Sequence, residues 1–322
     1  MRIKIAHCRA TLRAQRAGSA KYEANVVNSF RHALNSPSSS VALAELGFGD
    51  SPRRSRSGCR RRLALTPLLL TCMTLSCFAN LREERLRDET VQGGIAPARV
   101  GARFSSDDGL TEYKVQVSGQ PERSAAVWLP EGSEPRFIVV LLHGAIVHAA
   151  RGDGPERQSR ELLRCLAVPA LKSLNPVVLV PRSEEGRWWT QDDTSFVLGL
   201  LQAADERWPS AHHEHVVLGY SNGGIGAWYF ARLYPDYFSA AVAIASNETI
   251  VGDSKVPVYA IHGSDDELFP IAPVRSAVNA LSARGFDVTF AERTGAGHME
   301  PCSYARELKA AAPWLERHIL AH

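Results

Sequence analysis

The sequence predicts an α/β protein built on a mostly parallel, twisted sheet with helices on both faces. Two observations carry that expectation. Several apolar runs of strand length show no alternation, as strands buried on both faces require. Between them lie stretches with helical spacing, the connections that return a chain to the starting edge of a parallel sheet.

Taken in order, residues 113–117 and 124–129 alternate apolar and polar side chains and are expected to open the sheet as an antiparallel pair. Phe137-Ile138-Val139-Val140-Leu141-Leu142 is a continuous apolar run that stops at His143-Gly144-Ala145, and a helix is expected over 156–174. A strand at 177–180 leads to a loop holding Trp188-Trp189 and Asp192-Asp193, then to a helix over 194–207. His215-Val216-Val217-Leu218 is the next strand, and it runs into Gly219-Tyr220-Ser221-Asn222-Gly223 and a helix over 224–233. Strands at 238–245 and 256–261, a helix over 274–284, a strand at Val288-Thr289-Phe290 and a helix over 304–319 complete the pattern. Only about ten residues separate Ala245 from Val256, which leaves little room for a large lid and implies a compact, open site. No internal repeat or low-complexity tract interrupts the alternation.

The chemistry sits at strand ends. Gly219-Tyr220-Ser221-Asn222-Gly223 is a G-x-S-x-G elbow, in which glycines two residues either side of a serine remove the Cβ atoms that a tight strand-to-helix turn would crowd. The following helix points free N–H groups at the same spot, so the Asn222 amide is a candidate oxyanion donor. The loop after Leu142 offers the second donor at Ala145, with Ile146 beside it, and Ile146 is also a candidate for lining a substrate pocket. Downstream, His262-Gly263-Ser264-Asp265-Asp266-Glu267 places carboxylates just past a strand end, and Gly297-His298 places an imidazole on a later loop. The chain order is Ser, Asp, His.

These pieces resemble the α/β-hydrolase superfamily over roughly residues 110 to 320, and within it the phospholipase/carboxylesterase and polyhydroxybutyrate-depolymerase-like esterases. The resemblance rests on Leu142-His143-Gly144, Gly219-Tyr220-Ser221-Asn222-Gly223-Gly224, His262-Gly263-x-x-Asp266-x-x-Phe269-Pro270 and Gly297-His298. It implies an α/β-hydrolase fold with Ser221 as nucleophile, His298 as general base and then acid, and Asp266 as the group that holds the imidazole tautomer. Asp266 is preferred to Asp265, and Glu267 trails both, because the spacing from Gly263 to Pro270 fits the family pattern at Asp266. The expected reaction is cleavage of carboxylic esters, small or polymeric, through an acyl-enzyme without metal or organic cofactor. A peptidase or thioesterase on the same triad is the alternative, and a non-catalytic hydrolase-fold binding protein is the rival from another class.

Charge divides the chain. Residues 1–80 hold 13 Lys and Arg against 3 Asp and Glu, so the remaining 242 residues carry 24 basic and 31 acidic groups. A nucleic-acid partner inferred from the whole-chain charge of +3 would rest on the leader alone, and none is expected. Residues 51–79 combine Arg53-Arg54-Ser55-Arg56 and Arg60-Arg61-Arg62 with a short apolar stretch from Leu63 to Leu75 and small residues up to Ala79. That is the pattern of a secretory signal, and it implies export, either in soluble form or with a lipid at Cys77. Residues 1–50 are then an overlong reading of the gene's start or a disordered extension, and 80–322 a single catalytic domain. Cys165 and Cys302 are the two cysteines outside the leader; they are read as a core residue and a free thiol, with one disulfide between them as the alternative. The sequence carries no reading of oligomeric state.

Further features lie outside these motifs. Trp188 and Trp189 could line an acyl or aromatic pocket, or one could be core and the other a surface brace. Asp192 and Asp193 are expected to cap the following helix. His212-His213-Glu214-His215 lacks metal-site spacing and is read as a solvated loop. Asn247-Glu248-Thr249 is a sequon whose use depends on the host. His143 is read as a structural residue beside the oxyanion loop.

Overall fold

The strand runs alternate in three dimensions even where they do not alternate in sequence. In β4 (Phe137–Leu142) every residue is buried, and Ile138, Val140 and Leu142 enter one core while Phe137, Val139 and Leu141 enter the other. Successive side chains of a strand point to opposite faces, so an unbroken apolar run is what a strand sandwiched between two helical layers must have. The computed structural model describes residues 98–105, 110–132, 134–146, 154–211, 214–247 and 255–319. Of two compact units, Met1–Thr66 and Pro67–His322, the second contains all of them. The leader, its Cys77, His212, His213, Glu248 and Thr249 lie outside the described residues.

Among the described residues nine strands form one sheet in the order β1-β2-β3-β5-β4-β6-β7-β8-β9. β1 (Ala98–Ser105), β2 (Leu110–Val117) and β3 (Arg123–Trp128) are antiparallel to their neighbours. From β5 (Pro176–Pro181) through β4, β6 (His215–Tyr220), β7 (Ala240–Ile244), β8 (Val258–Gly263) and β9 (Val288–Arg293) the pairing is parallel. The expected elements are present, with one strand added. β1, Ala-Arg-Val-Gly-Ala-Arg-Phe-Ser, carries two arginines and a glycine on a sheet edge, and its register with β2 shifts between Val100 and Arg103.

One helical layer contains α3 (Gln191–Arg207), α4 (Asn222–Leu233) and α5 (Ile271–Ala283), which supply Phe196, Phe230 and Val278 to the first core. The other contains α1 (Pro155–Leu162), α2 (Val168–Leu171), α6 (Ala305–Ala310) and α7 (Ala312–Ile319), which supply Leu162, Leu171, Leu308 and Leu315. The helix expected over 156–174 is continuous in outline but passes through a π-helical turn at Leu163–Ala167 and ends in a 3-10 turn at Lys172–Leu174. The π turn comes just ahead of Pro169, which has no N–H to give to the preceding turn.

The cysteines correct the preferred reading. Cys165 in the π turn and Cys302 in the 3-10 turn Pro301–Tyr304 form a disulfide, with Cα atoms 5.1 Å apart across 137 residues of sequence. Both turns pack on the second core, through Leu166 and Tyr304, and that shared packing brings the two sulfurs together.

Candidate active site

β4 sends its connection to β5 on one side, whereas β6 sends its connection to β7 on the other. Chains leaving two adjacent strands in opposite directions open a crevice above their carboxyl ends, where ligands bind in open α/β sheets. Residues 143–146 start from one of those ends and Ser221 from the other.

Ser221 joins β6 to α4 at φ 56° and ψ −121°, a conformation that a residue with a Cβ holds only where its surroundings enforce it. Its N–H donates to Ile244 O at 2.9 Å and its carbonyl accepts from Ile225 N–H at 3.0 Å. A Cβ on Gly219 would run into the Gly223 carbonyl, and one on Gly223 into the Leu142 carbonyl. Both glycines of the elbow are therefore demanded by backbone crowding.

Ser221 Oγ lies 2.9 Å from His298 Nε2, and His298 Nδ1 lies 2.8 Å from Asp266 Oδ2. All three side chains are buried. The second Asp266 oxygen accepts the N–H groups of Leu268 and Phe269 at 3.0 and 2.7 Å. Burial by itself pushes the Asp266 carboxyl up, but hydrogen bonds from His298 and the Phe269 amide outweigh it and hold the group below its ordinary range. The anion accepts a hydrogen bond from His298 Nδ1–H, which leaves Nε2 as an acceptor facing the serine hydroxyl. Asp265 is exposed and its carboxylate accepts from Ser264 Oγ at 2.7 Å instead.

Opposite, the loop after β4 is braced. His143 Nδ1–H donates to Gly144 O at 2.8 Å, and its Nε2 accepts from Ser183 N–H at 3.1 Å. Burial lowers the His143 pKa to about 4, so the ring is neutral at pH 7. Gln158 Nε2 donates to Ala145 O at 3.1 Å, and the Ile146 amide is engaged with Glu185 O at 3.4 Å. Ala145 and Asn222 are both half-buried, and Asn222 opens α4, where backbone amides have no intrahelical partner.

One open reading is decided here and two expectations are corrected. Trp188 does not line a pocket: it is fully buried, and its Nε1–H donates to His143 O at 2.8 Å. Trp189 alone of the pair reaches solvent, at 38% exposure. The cap of α3 is Thr190, whose hydroxyl accepts from Asp193 N–H at 3.2 Å. Asp193 turns inward to pair with Arg123 and to accept from Ser183 Oγ at 2.8 Å, which ties the residue that steadies His143 to α3. His215 is not on a solvated loop; it is buried at the start of β6 and bonds Asp205 Oδ1 at 2.7 Å and Tyr237 O at 2.8 Å. Among the described residues no group of His, Cys, Asp and Glu is arranged to hold a metal ion.

Other residues reach the site without a sequence signal of their own. Tyr220, inside the elbow, donates its hydroxyl to His298 O, and Tyr304 donates to Gly297 O at 3.1 Å. His262 Nε2 donates to Phe269 O at 2.7 Å and lies 3.4 Å from Asp266 Oδ2. The variable position of G-x-S-x-G and a tyrosine at the start of a helical stretch give no warning of these contacts, which only the folded chain creates.

A model of the Dienelactone hydrolase family matches residues 187–314. No curated protein matches the chain. Among solved structures, an S-formylglutathione hydrolase from Agrobacterium tumefaciens is 16% identical with a TM-score of 0.50, covering 69% of this chain and 99% of its own. Fluorophosphonate-binding serine hydrolase F from Staphylococcus aureus is 14% identical with a TM-score of 0.49, covering 68% of this chain and 98% of its own. With the sheet order, the elbow and the structural likeness in hand, the chain has the α/β-hydrolase fold.

Proposed function

We propose that the protein is a serine hydrolase that cleaves carboxylic esters through an acyl-enzyme. The observation that carries this reading is the hydrogen-bonded series Ser221–His298–Asp266, with links of 2.9 and 2.8 Å, that starts from a serine held at positive φ. Ser221 Oγ attacks the acyl carbonyl while His298 Nε2 takes its proton, and Asp266 stabilises the resulting imidazolium. The oxyanion is held by the amides of Ala145 and Asn222, and the alcohol leaves with the proton from Nε2. Water then repeats the sequence against the acyl group and frees Ser221.

Export is inferred alongside, from the leader at residues 51–79 and from the Cys165–Cys302 bridge, since disulfides persist in oxidising compartments.

The test uses purified protein, Ser221→Ala and His298→Ala with a fluorophosphonate probe and a p-nitrophenyl ester series from acetyl to palmitoyl. Labelling of the wild type that is lost in Ser221→Ala, together with ester turnover above that of thioesters and aminoacyl amides, is the expected result. Turnover that prefers thioesters or amides replaces the ester assignment. No labelling of a folded sample replaces catalysis with binding.

A further inference from the structure

The two carboxylates of Asp266-Glu267 grip one residue at two points. Asp266 Oδ2 holds the His298 ring at Nδ1, 2.8 Å away, and Glu267 Oε2 accepts the main-chain N–H of the same histidine at 3.0 Å. We propose that Glu267 is a positioning residue that fixes the backbone of His298, so that the imidazole meets Ser221 and Asp266 in register. The inference rests on the reading of His298 as the general base.

Three observations converge on it. The residue before the histidine is Gly297, and a Cβ there would stand only 3.3 Å from Glu267 Oε2, closer than side chains ordinarily pack. The carboxylate thus reaches the amide through the space that a side chain would fill. Next, Glu267 is exposed, yet its oxygen serves a residue that is 2% exposed, so the contact is a reach inward and not a surface pairing. Finally, the segment 294–298 has no strand or helix of its own to hold it after β9. It is laced to the turn after β8 by Gly295 N–H to Ser264 Oγ at 2.8 Å and Asp265 N–H to Ala296 O at 3.1 Å, and the Glu267 bond extends these ties to the main-chain N–H of the histidine. A hydrogen bond to a carboxylate is among the stronger ones available to a main-chain amide. Its partner is also the amide nearest the imidazole, so losing it lets the ring drift where displacement by about 1 Å can cost ~100-fold in rate.

The experiment compares wild type, Glu267→Ala, Glu267→Gln and Ser221→Ala on p-nitrophenyl acetate, with fluorophosphonate labelling rates and thermal melting of each. Glu267→Ala is expected to lower kcat about 10- to 100-fold with KM nearly unchanged, and to slow labelling by the same factor. Glu267→Gln keeps an oxygen acceptor and is expected to recover most of the lost rate. The exposed site predicts melting close to that of the wild type for both variants. Glu267→Ala with wild-type kcat, in an enzyme that Ser221→Ala inactivates, overturns the clamp and leaves the hydrolase reading standing. Loss in Glu267→Ala that Gln does not recover, or that shows in KM alone, also overturns it. Wild-type turnover that survives Ser221→Ala overturns the reading beneath, and the clamp with it.

Discussion

Ser221 and His298 face each other across 2.9 Å, yet they are held there by different kinds of force. Around Ser221 the constraints are main-chain ones: a strand that ends, a helix that begins, and carbonyls packed where two glycines leave room. His298 hangs on a loop after an edge strand and is fixed by side chains, from Tyr220, Asp266 and Glu267, with Tyr304 on Gly297 and the Cys165–Cys302 bridge four residues on. A serine fixed by its own turn is written into five consecutive residues. A histidine fixed by contacts from other stretches of chain has only the short pair Gly297-His298 to mark it.

The largest expected effect breaks the base side alone. Asp266→Asn should lower kcat by roughly 10⁴-fold, because the wrong tautomer of His298 is then favoured. Asp265→Asn should leave turnover near that of the wild type, since its carboxylate faces Ser264. Steady-state kinetics of the two variants on one ester decide between the neighbours, and equal losses would undo the distinction.

Reducing the disulfide tests how far the base side depends on long-range ties. A bridge across 137 residues contributes about 5 kcal/mol in the chain-entropy account. Denaturant unfolding of Cys165→Ser/Cys302→Ser against the wild type should show a loss of that order in stability. A midpoint that does not move would mean the two turns stay together without their link.

Acid should act on the opposite side. His143 has a folded pKa near 4, depressed from an ordinary value of 6.5. Its contribution is therefore fully present above pH 6.5 and is lost as pH falls through 4, because the unfolded chain takes up a proton that the buried ring refuses. The depression corresponds to about 3 kcal/mol at most. Unfolding free energies measured between pH 7 and 4 for wild type and His143→Gln should converge at the acid end, and parallel curves would remove His143 from the account.

The same contrast explains what could be read from the chain. β4, β6 and the elbow were legible because their rules are local: apolar period, glycine spacing, a serine at the turn. Trp188 was not, because a tryptophan on a loop looks the same whether it faces a substrate or, as here, sits fully buried with its N–H on His143 O. β1 escaped because Ala-Arg-Val-Gly-Ala-Arg-Phe-Ser shows no apolar run. The disulfide escaped because its two turns are neighbours only once α1, α2 and the chain after β9 have packed on one face of the sheet.

His298 follows β9, the outermost parallel strand, whereas Ser221 follows a strand near the middle of the sheet. A chain that has collapsed around its central strands but has not docked its last one would own a nucleophile without a base. On the proposed reading such a chain would be chemically silent. Activity, on that reading, waits for the completed fold, and a half-folded copy has its serine in place before the histidine that would take its proton.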